Sequence, residues 1–310
     1  MSNGTSTPQP AARAVGVIGL GAMGAGMAQS LRRAGHHVHV HDIRPEAAAA
    51  FAAEGGTACA TLADMAAACR IVVSVVVNAQ QTEAVLFGEG GIAPALQPGS
   101  VFVMCSTVDP NWSVALEAKL QAQGVHYIDA PISGGAAKAA SGQMTMMTAG
   151  RPEAYAACEG VLDAMAAKVY RLGSSAGAGS KVKIINQLLA GVHIAAAAEA
   201  MALGLREGVD AAALYEVITH SAGNSWMFEN RMAHVLAGDY TPLSAVDIFV
   251  KDLGLVLDTA RHSKFPLPLA STAHQMFMQA STAGHGREDD SAVIKIFPGV
   301  TLPQAPSESP

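Results

Sequence analysis

The stretch VGVIGLGAMGAGMAQSLRRAGHHVHVHD, Val15 to Asp42, follows an apolar run with a glycine-rich turn, Gly19-Leu20-Gly21-Ala22-Met23-Gly24, and ends on a lone aspartate eighteen residues past the last of those glycines. Residues of these types at this spacing can hold a dinucleotide. Gly19 permits a tight turn, Gly21 lets the backbone approach a pyrophosphate, and Gly24 lets a helix pack on its strand. The free N–H groups at the helix start attract the phosphate charge. Asp42 can accept hydrogen bonds from an adenine-ribose diol, and its charge repels a 2′-phosphate, which favours NAD over NADP. Arg44, two residues on, is able to serve a 2′-phosphate instead. FAD uses the same turn, so only the rest of the chain separates these cofactors.

Three further stretches set polar residues among apolar or glycine-rich neighbours: DAPISGG (Asp129–Gly135), GAGSKVKIINQ (Gly177–Gln187) and FVKDLGL (Phe249–Leu255). In the first, Ser133, Gly134 and Gly135 follow a predicted strand, where a hydroxyl and bare backbone N–H groups can bind a carboxylate; the same run also serves as an ordinary turn. In the second, Lys183, Asn186 and Gln187 are spaced i, i+3, i+4 and share one helix face, with Lys181 pointing elsewhere. A lysine has an ordinary pKa of about 10.4. To act as a base it needs desolvation and a nearby positive charge, and the commoner fate of a helical lysine is to snorkel to solvent. The tract His36, His37, His39 and His41 has no carboxylate or cysteine partner in local spacing and is not read as a metal site. Cys105 carries no mark of a nucleophile, and Met144, Met146 and Met147 read as packing.

The elements that must position these residues change character along the chain. β-Branched runs predict strands at 15–18, 37–41, 71–77, 101–105, 127–129 and 144–148. Helices fit between them at 23–34, 45–54 and 111–123, with a short one opening at the capping box of Thr61 and Asp64. This alternation is that of a doubly wound parallel sheet covered by helices. Strand signals vanish from about Ser180, and 181–206, 211–221, 227–236, 245–262 and 269–283 read as helices. The expected organisation is a tail (1–13), a Rossmann-like dinucleotide domain (14–176), an all-α domain for substrate and oligomerisation (177–298) and a second tail (299–310).

Half of the 310 residues are hydrophobic and 14% charged, which excludes a disordered chain. The net charge of −6 and the lack of a basic stripe argue against a nucleic-acid partner. The opening MSNGTSTPQPAAR lacks the apolar core of a secretory signal. Four cysteines without C-x-x-C spacing read as reduced thiols, so a cytoplasmic protein is expected. The run 188–205 approaches the length of a membrane span but holds His193 and Glu199 and is mostly alanine, so a buried helix and no membrane partner are expected. Its apolar excess predicts a homo-oligomer, a dimer or tetramer.

Taken together and in order, GLGAMG, DAPISGG, GAGSKVKIINQ and FVKDLGL resemble the β-hydroxyacid dehydrogenase family over about residues 14–297. The resemblance implies a Rossmann domain, a helical domain, NAD(P) and hydride transfer at a hydroxyl-bearing carbon of a small acid. It makes Lys183, four residues after Gly179 and three before Asn186, the catalytic lysine, with Asn186 orienting substrate oxygens. Ser133, Gly134, Gly135 and Gln187 become substrate residues. Lys251 resembles the family lysine that reaches back to the active site from the helical domain, its alternative being a pair with Asp252 or Asp247. Thr107 matches a position beside the nicotinamide ribose, and Asn78 ends the preceding strand; either residue is also able to cap a helix. GNSWMFENRM (223–232), SAVDIFVKDLGLVLD (244–258), FPLPLAST (265–272) and EDDSAVIKIF (288–297) resemble the branch that oxidises a four-carbon sugar acid at C2, which would let Asn224 and Ser225 reach distal hydroxyls. Reduction of tartronate semialdehyde and oxidation of 3-hydroxyisobutyrate are the alternatives in the family, and a non-catalytic dinucleotide-binding module is the alternative of another class.

Overall fold

The structure is a computed structural model that describes residues 12–305. The first expected tail therefore falls largely outside the described residues, at 1–11, and the second only in part, at 306–310. The first part of the chain runs β1 (Ala14–Ile18), α1 (Gly24–Arg33), β2 (His37–His41), α2 (Pro45–Ala53), β3 (Thr57–Ala58), α3 (Leu62–Ala68), β4 (Ile71–Ser74), α4 (Ala79–Phe87), β5 (Val101–Met104), α5 (Pro110–Gln121) and β6 (His126–Asp129). It continues with β7 (Ile132–Ser133), α6 (Gly135–Ser141), β8 (Met144–Gly150), α7 (Pro152–Ala157), α8 (Val161–Met165) and β9 (Ala166–Arg171). Then come α9 (Ala178–Arg206), α10 (Ala211–Thr219), α11 (Trp226–Ala237), α12 (Val246–His262), α13 (Pro268–Ala280) and a closing 3₁₀ stretch, Asp290–Ile296. The chain divides into two compact units, residues up to Lys183 and residues from Ile184, with the break inside α9.

In the first unit the sheet order is β3-β2-β1-β4-β5-β6-β8-β7, with β9 on β8. The strands from β1 to β6 pair in parallel. Both faces are covered at the middle of the sheet, so β1, β4 and β5 read as nearly unbroken apolar runs. Val15, Val17, Val73 and Val103 pack on the α1 side and Ile18, Val72, Phe102 and Met104 on the other, as the period of two requires. The sheet is the expected doubly wound one, parallel over β1 to β6, and at its end β8 runs antiparallel to both β6 and β7. After Pro131 and the two-residue β7, the short α6 turns the chain back into β8. The strand expected over 71–77 stops at Ser74, because the chain leaves the sheet to form the loop before α4. The expected capping box is present: Thr61 Oγ1 accepts from Asp64 N, and Thr61 N donates to Asp64.

The second unit packs around the Ala-rich part of α9. Ile194, Ala198, Met201 and Ala202 meet Met232, Val235, Phe249, Leu253 and Phe277. The rings of Phe249 and Phe277 stack 5.1 Å apart. Among the described residues α9 is the one helix long and apolar enough to cross a bilayer. Its inner face is core, and Ile185, Leu189 and Leu203 are its large exposed apolar residues from Ile184 onward. The first residues of the tail expected over 299–310 lie against this unit. Val300 and Leu302 pack on the helical core, and the backbone at Gln304 and Ala305 crosses Gly238 so closely that a Cβ there would lie 2.2 Å from Ala305 N.

Candidate active site

β1 ends at the glycine turn and sits between β2 and β4, where strand order reverses direction about the first strand. In such sheets ligands bind beyond the carboxyl ends of the strands at this point. The glycines of the turn differ in what they permit. Gly19 has φ +92°, and a Cβ there would lie 2.6 Å from Val75 O; one on Gly24 would lie 1.8 Å from Gly19 O. Both are required by the turn itself. Gly21 is different, because a Cβ there would meet nothing within 4 Å. Its surface is open, as a site for a pyrophosphate must be. α1 has no side-chain cap at its start and no acidic residue in its first turn, so its N-terminal N–H groups remain suited to an anion. These features fit a dinucleotide held by Gly19, Leu20, Gly21, Ala22, Met23 and Gly24.

Asp42 closes the other side of this turn. Its Oδ2 accepts from Leu20 N at 2.6 Å, and its Oδ1 accepts from Arg44 N at 2.9 Å and Arg44 Nε at 3.2 Å. Burial raises its carboxyl, but these donors and the guanidinium charge outweigh burial and hold it below the usual carboxylate value. Asn78 caps α4, its Oδ1 accepting from Gln81 N at 2.8 Å. Thr107 lies between β5 and α5. The two loops are tied together by Ser106 Oγ, which donates to Val76 O at 2.7 Å and lies 3.2 Å from Thr82 Oγ1. The loops after β1, β2, β4 and β5 thus bring Gly19–Gly24, Asp42, Asn78 and Thr107 to one edge of the sheet.

After β6 the same edge carries Ser133, Gly134 and Gly135. Ser133 pairs with Thr145 of β8, and the two glycines take φ +141° and +76° at the start of α6. A Cβ on Gly135 would meet nothing within 4 Å. This leaves a half-buried hydroxyl and an open backbone, the arrangement a carboxylate clamp needs.

Lys183 stands in the second turn of α9 and is 7% exposed, unlike Lys181, which is exposed. Three and four residues on, Asn186 Nδ2 donates to Gln187 Oε1 at 3.0 Å, and Gln187 Nε2 donates to Asp252 Oδ2 at 2.6 Å. The other oxygen of buried Asp252 pairs with Lys251 Nζ at 2.5 Å. Lys251 therefore has the Asp252 partner that its sequence allowed. A buried lysine, followed one turn later by two carboxamides on the same face, can hold an alcohol and take its proton.

Family profiles match nearly all of the described chain. The NAD binding domain of 6-phosphogluconate dehydrogenase matches residues 14–173, and the NAD-binding domain of NADP-dependent 3-hydroxyisobutyrate dehydrogenase matches 177–297. The L-threonate dehydrogenase of Cupriavidus necator is 70% identical over 94% of this chain and 98% of its own length. The chain belongs to the β-hydroxyacid dehydrogenase family. A crystal structure described as 3-hydroxyisobutyrate dehydrogenase from Salmonella typhimurium is 55% identical, with a TM-score of 0.88 over 92% of this chain and 100% of that one. A structure of Psf3 in complex with NADP+ and 2-OPP is 26% identical, with a TM-score of 0.84 over 91% and 99%. The protein is an oxidoreductase of this family that uses a nicotinamide dinucleotide on a small hydroxy acid.

Within this β-hydroxyacid dehydrogenase, several site-shaping residues gave no sequence signal. Asp252 was a candidate partner for Lys251 alone, and only the fold reveals that it also holds Gln187. Gly26 stands outside the glycine motif, yet a Cβ there would lie 2.6 Å from Ala140 N, so it sets the contact of α1 with α6. Cys59 comes within 3.9 Å of His39 Nδ1 through the pairing of β2 with β3, a partner that local spacing did not offer the histidine tract. Burial pushes the Cys105 thiol up to about 12, which leaves it inert. Asn224 and Ser225 are engaged locally: Asn224 Nδ2 donates to Thr219 O and Glu229, and Ser225 Oγ accepts from Phe228 N to cap α11.

Proposed function

We propose that the protein is an NAD-dependent dehydrogenase that oxidises L-threonate at C2 to the 2-oxo acid, with Lys183 as the base. The observation that carries the reading is a buried lysine one helical turn before Asn186, in a chain 70% identical to a named L-threonate dehydrogenase over nearly its whole length. A non-catalytic binding module has no use for such a lysine. When bound, the nicotinamide dinucleotide supplies the hydride acceptor. Ser133 Oγ and the N–H groups of Gly134 and Gly135 hold the substrate carboxylate. Asn186 and Gln187 orient the reacting hydroxyl, and Lys183 Nζ takes its proton in oxidation or returns it in reduction. The test is reduction of NAD by the purified enzyme across a panel of C3–C5 hydroxy acids, L-threonate being the expected best substrate.

The preference for NAD rests on Asp42, whose carboxylate engages Arg44 and leaves its guanidinium paired at 3.2 Å. Asp42→Asn keeps an acceptor for Leu20 N but removes the charge that repels a 2′-phosphate. We expect it to narrow the ratio of kcat/KM for NAD over NADP by about tenfold, the effect of about 1.4 kcal/mol. A native preference for NADP would mean that Arg44 outweighs Asp42.

A homo-oligomer is supported by the exposed apolar side chains of the helical unit, among them Ile185, Leu189, Leu203, Val217 and Leu269, each more than half exposed. Light scattering at micromolar protein is expected to give at least twice the chain mass of 31.6 kDa, and a mass near 31.6 kDa refutes this.

A further inference from the structure

α9 begins without a capping side chain of its own, because the residue before its first turn is Gly177. Asp129, at the end of β6 and 48 residues earlier, fills that role. Its Oδ2 accepts from Gly177 N at 2.8 Å and from Ser180 N at 2.9 Å, and its Oδ1 accepts from Ser180 Oγ at 2.6 Å. The N–H of the capping residue and the N–H three residues on are the two donors that a capping box satisfies within its own sequence. Here one carboxylate from a distant strand satisfies both. Burial raises the Asp129 carboxyl above its usual value even so, against the pull of the Ser180 and Gly177 donors. The helix can come this close because position 179 is glycine: a Cβ there would lie 2.3 Å from Met147 O and 2.9 Å from Asp129 O. Glu117 of α5 adds a second tie, accepting from Ala176 N at 3.1 Å.

The placement matters because of what lies on either side of Asp129. Three residues beyond Ser180, on the same helix face and about 4.5 Å further along the axis, stands Lys183. Four residues beyond Asp129 in the chain stands Ser133, and the backbone between them is fixed by pairing to β8, Asp129 with Ala149 and Ser133 with Thr145. One carboxylate therefore sets the rotation of the helix that bears the lysine against the strand that bears the carboxylate clamp. We propose that Asp129 is a positioning residue for catalysis, holding Lys183 at its working distance from the Ser133–Gly135 clamp. This rests on the reading of Lys183 as the base.

The experiment compares Asp129→Ala, Asp129→Asn, Ser180→Ala and Lys183→Ala in steady-state kinetics with L-threonate and NAD. Fluorescence titration of NADH, thermal melting and hydrogen exchange over residues 176–186 accompany it. Asp129→Ala is expected to lower kcat by about 10²-fold, the cost of a misplacement near 1 Å, with the NADH dissociation constant within about twofold of native and exchange of the Gly177 and Ser180 amides accelerated. Asparagine retains an acceptor for both N–H groups and is expected to restore kcat to within about tenfold of native. Ser180→Ala removes a single bond from a side chain that caps nothing else, and is expected to lower kcat without changing NADH binding. If Asp129→Ala does not fold, the Ser180→Ala result decides alone. Native kcat in either alanine variant, with the helix start loosened, overturns the proposal, as does an asparagine variant no better than alanine. Native kcat in Lys183→Ala instead removes the base on which the proposal rests, an outcome read separately from the other three.

Discussion

Replacing Lys183 by alanine is expected to lower kcat by about 10²- to 10⁴-fold, the usual contribution of a positioned acid or base. Cofactor affinity should stay nearly native. The two effects separate because Lys183 stands in the second turn of α9, whereas the glycine turn and Asp42 belong to the loops after β1 and β2. The lysine is buried, so it is not a snorkelling surface cation whose removal would matter little. Steady-state kinetics with fluorescence titration of NADH checks both parts. Near-native kcat in the variant moves the base elsewhere, and Lys181 or Lys251 becomes the residue to replace next.

L-Threonate is expected to exceed 3-hydroxyisobutyrate in kcat/KM by about 10⁴-fold or more. The size of the effect comes from what an unmatched site must leave unpaired. A four-carbon sugar acid presents three hydroxyls besides its carboxylate, and a site built for them strands its buried polar groups when an analogue brings a methyl group instead. The polar residues near Lys183 on α9, Asn186 and Gln187, are carboxamides, and the Gln187 amide is anchored to buried Asp252 and not free to turn away. The named relatives pull in two directions here. The relative from Cupriavidus necator is an L-threonate dehydrogenase at 70% identity, while the Salmonella typhimurium structure at 55% is described as a 3-hydroxyisobutyrate dehydrogenase. Initial rates on both acids with NAD decide between them. Equal rates, or faster reduction of tartronate semialdehyde with NADH, would remove the L-threonate assignment and leave the family and the lysine mechanism in place.

The features legible in the sequence share one property: their energies are local. The turn at Gly19 needs a positive φ, the capping box of Thr61 and Asp64 is complete within four residues, and β2 is bounded by its own alternation at His37 and His41. Such choices are made by backbone sterics and neighbouring side chains, so residue types alone reveal them. Short elements escaped for the same reason. The two residues of β3 and of β7 carry no period to read, and the two-residue β7 exists only because β8 lies beside it.

The sequence by itself determined a glycine turn fit for a dinucleotide, an aspartate at the next strand end, a change from strands and helices to helices alone, and a lysine with Asn186 and Gln187 on one face. Only the tertiary structure decided that β8 turns antiparallel, that Val300 and Leu302 pack on the helical core, that Asp252 joins Gln187 to Lys251, and that Asp129 begins α9 from 48 residues away. Each of these depends on groups far apart in the chain, whose meeting is worth its entropic cost only once the core between them is buried. A buried carboxylate must find donors wherever the fold supplies them, and no local pattern records where that will be.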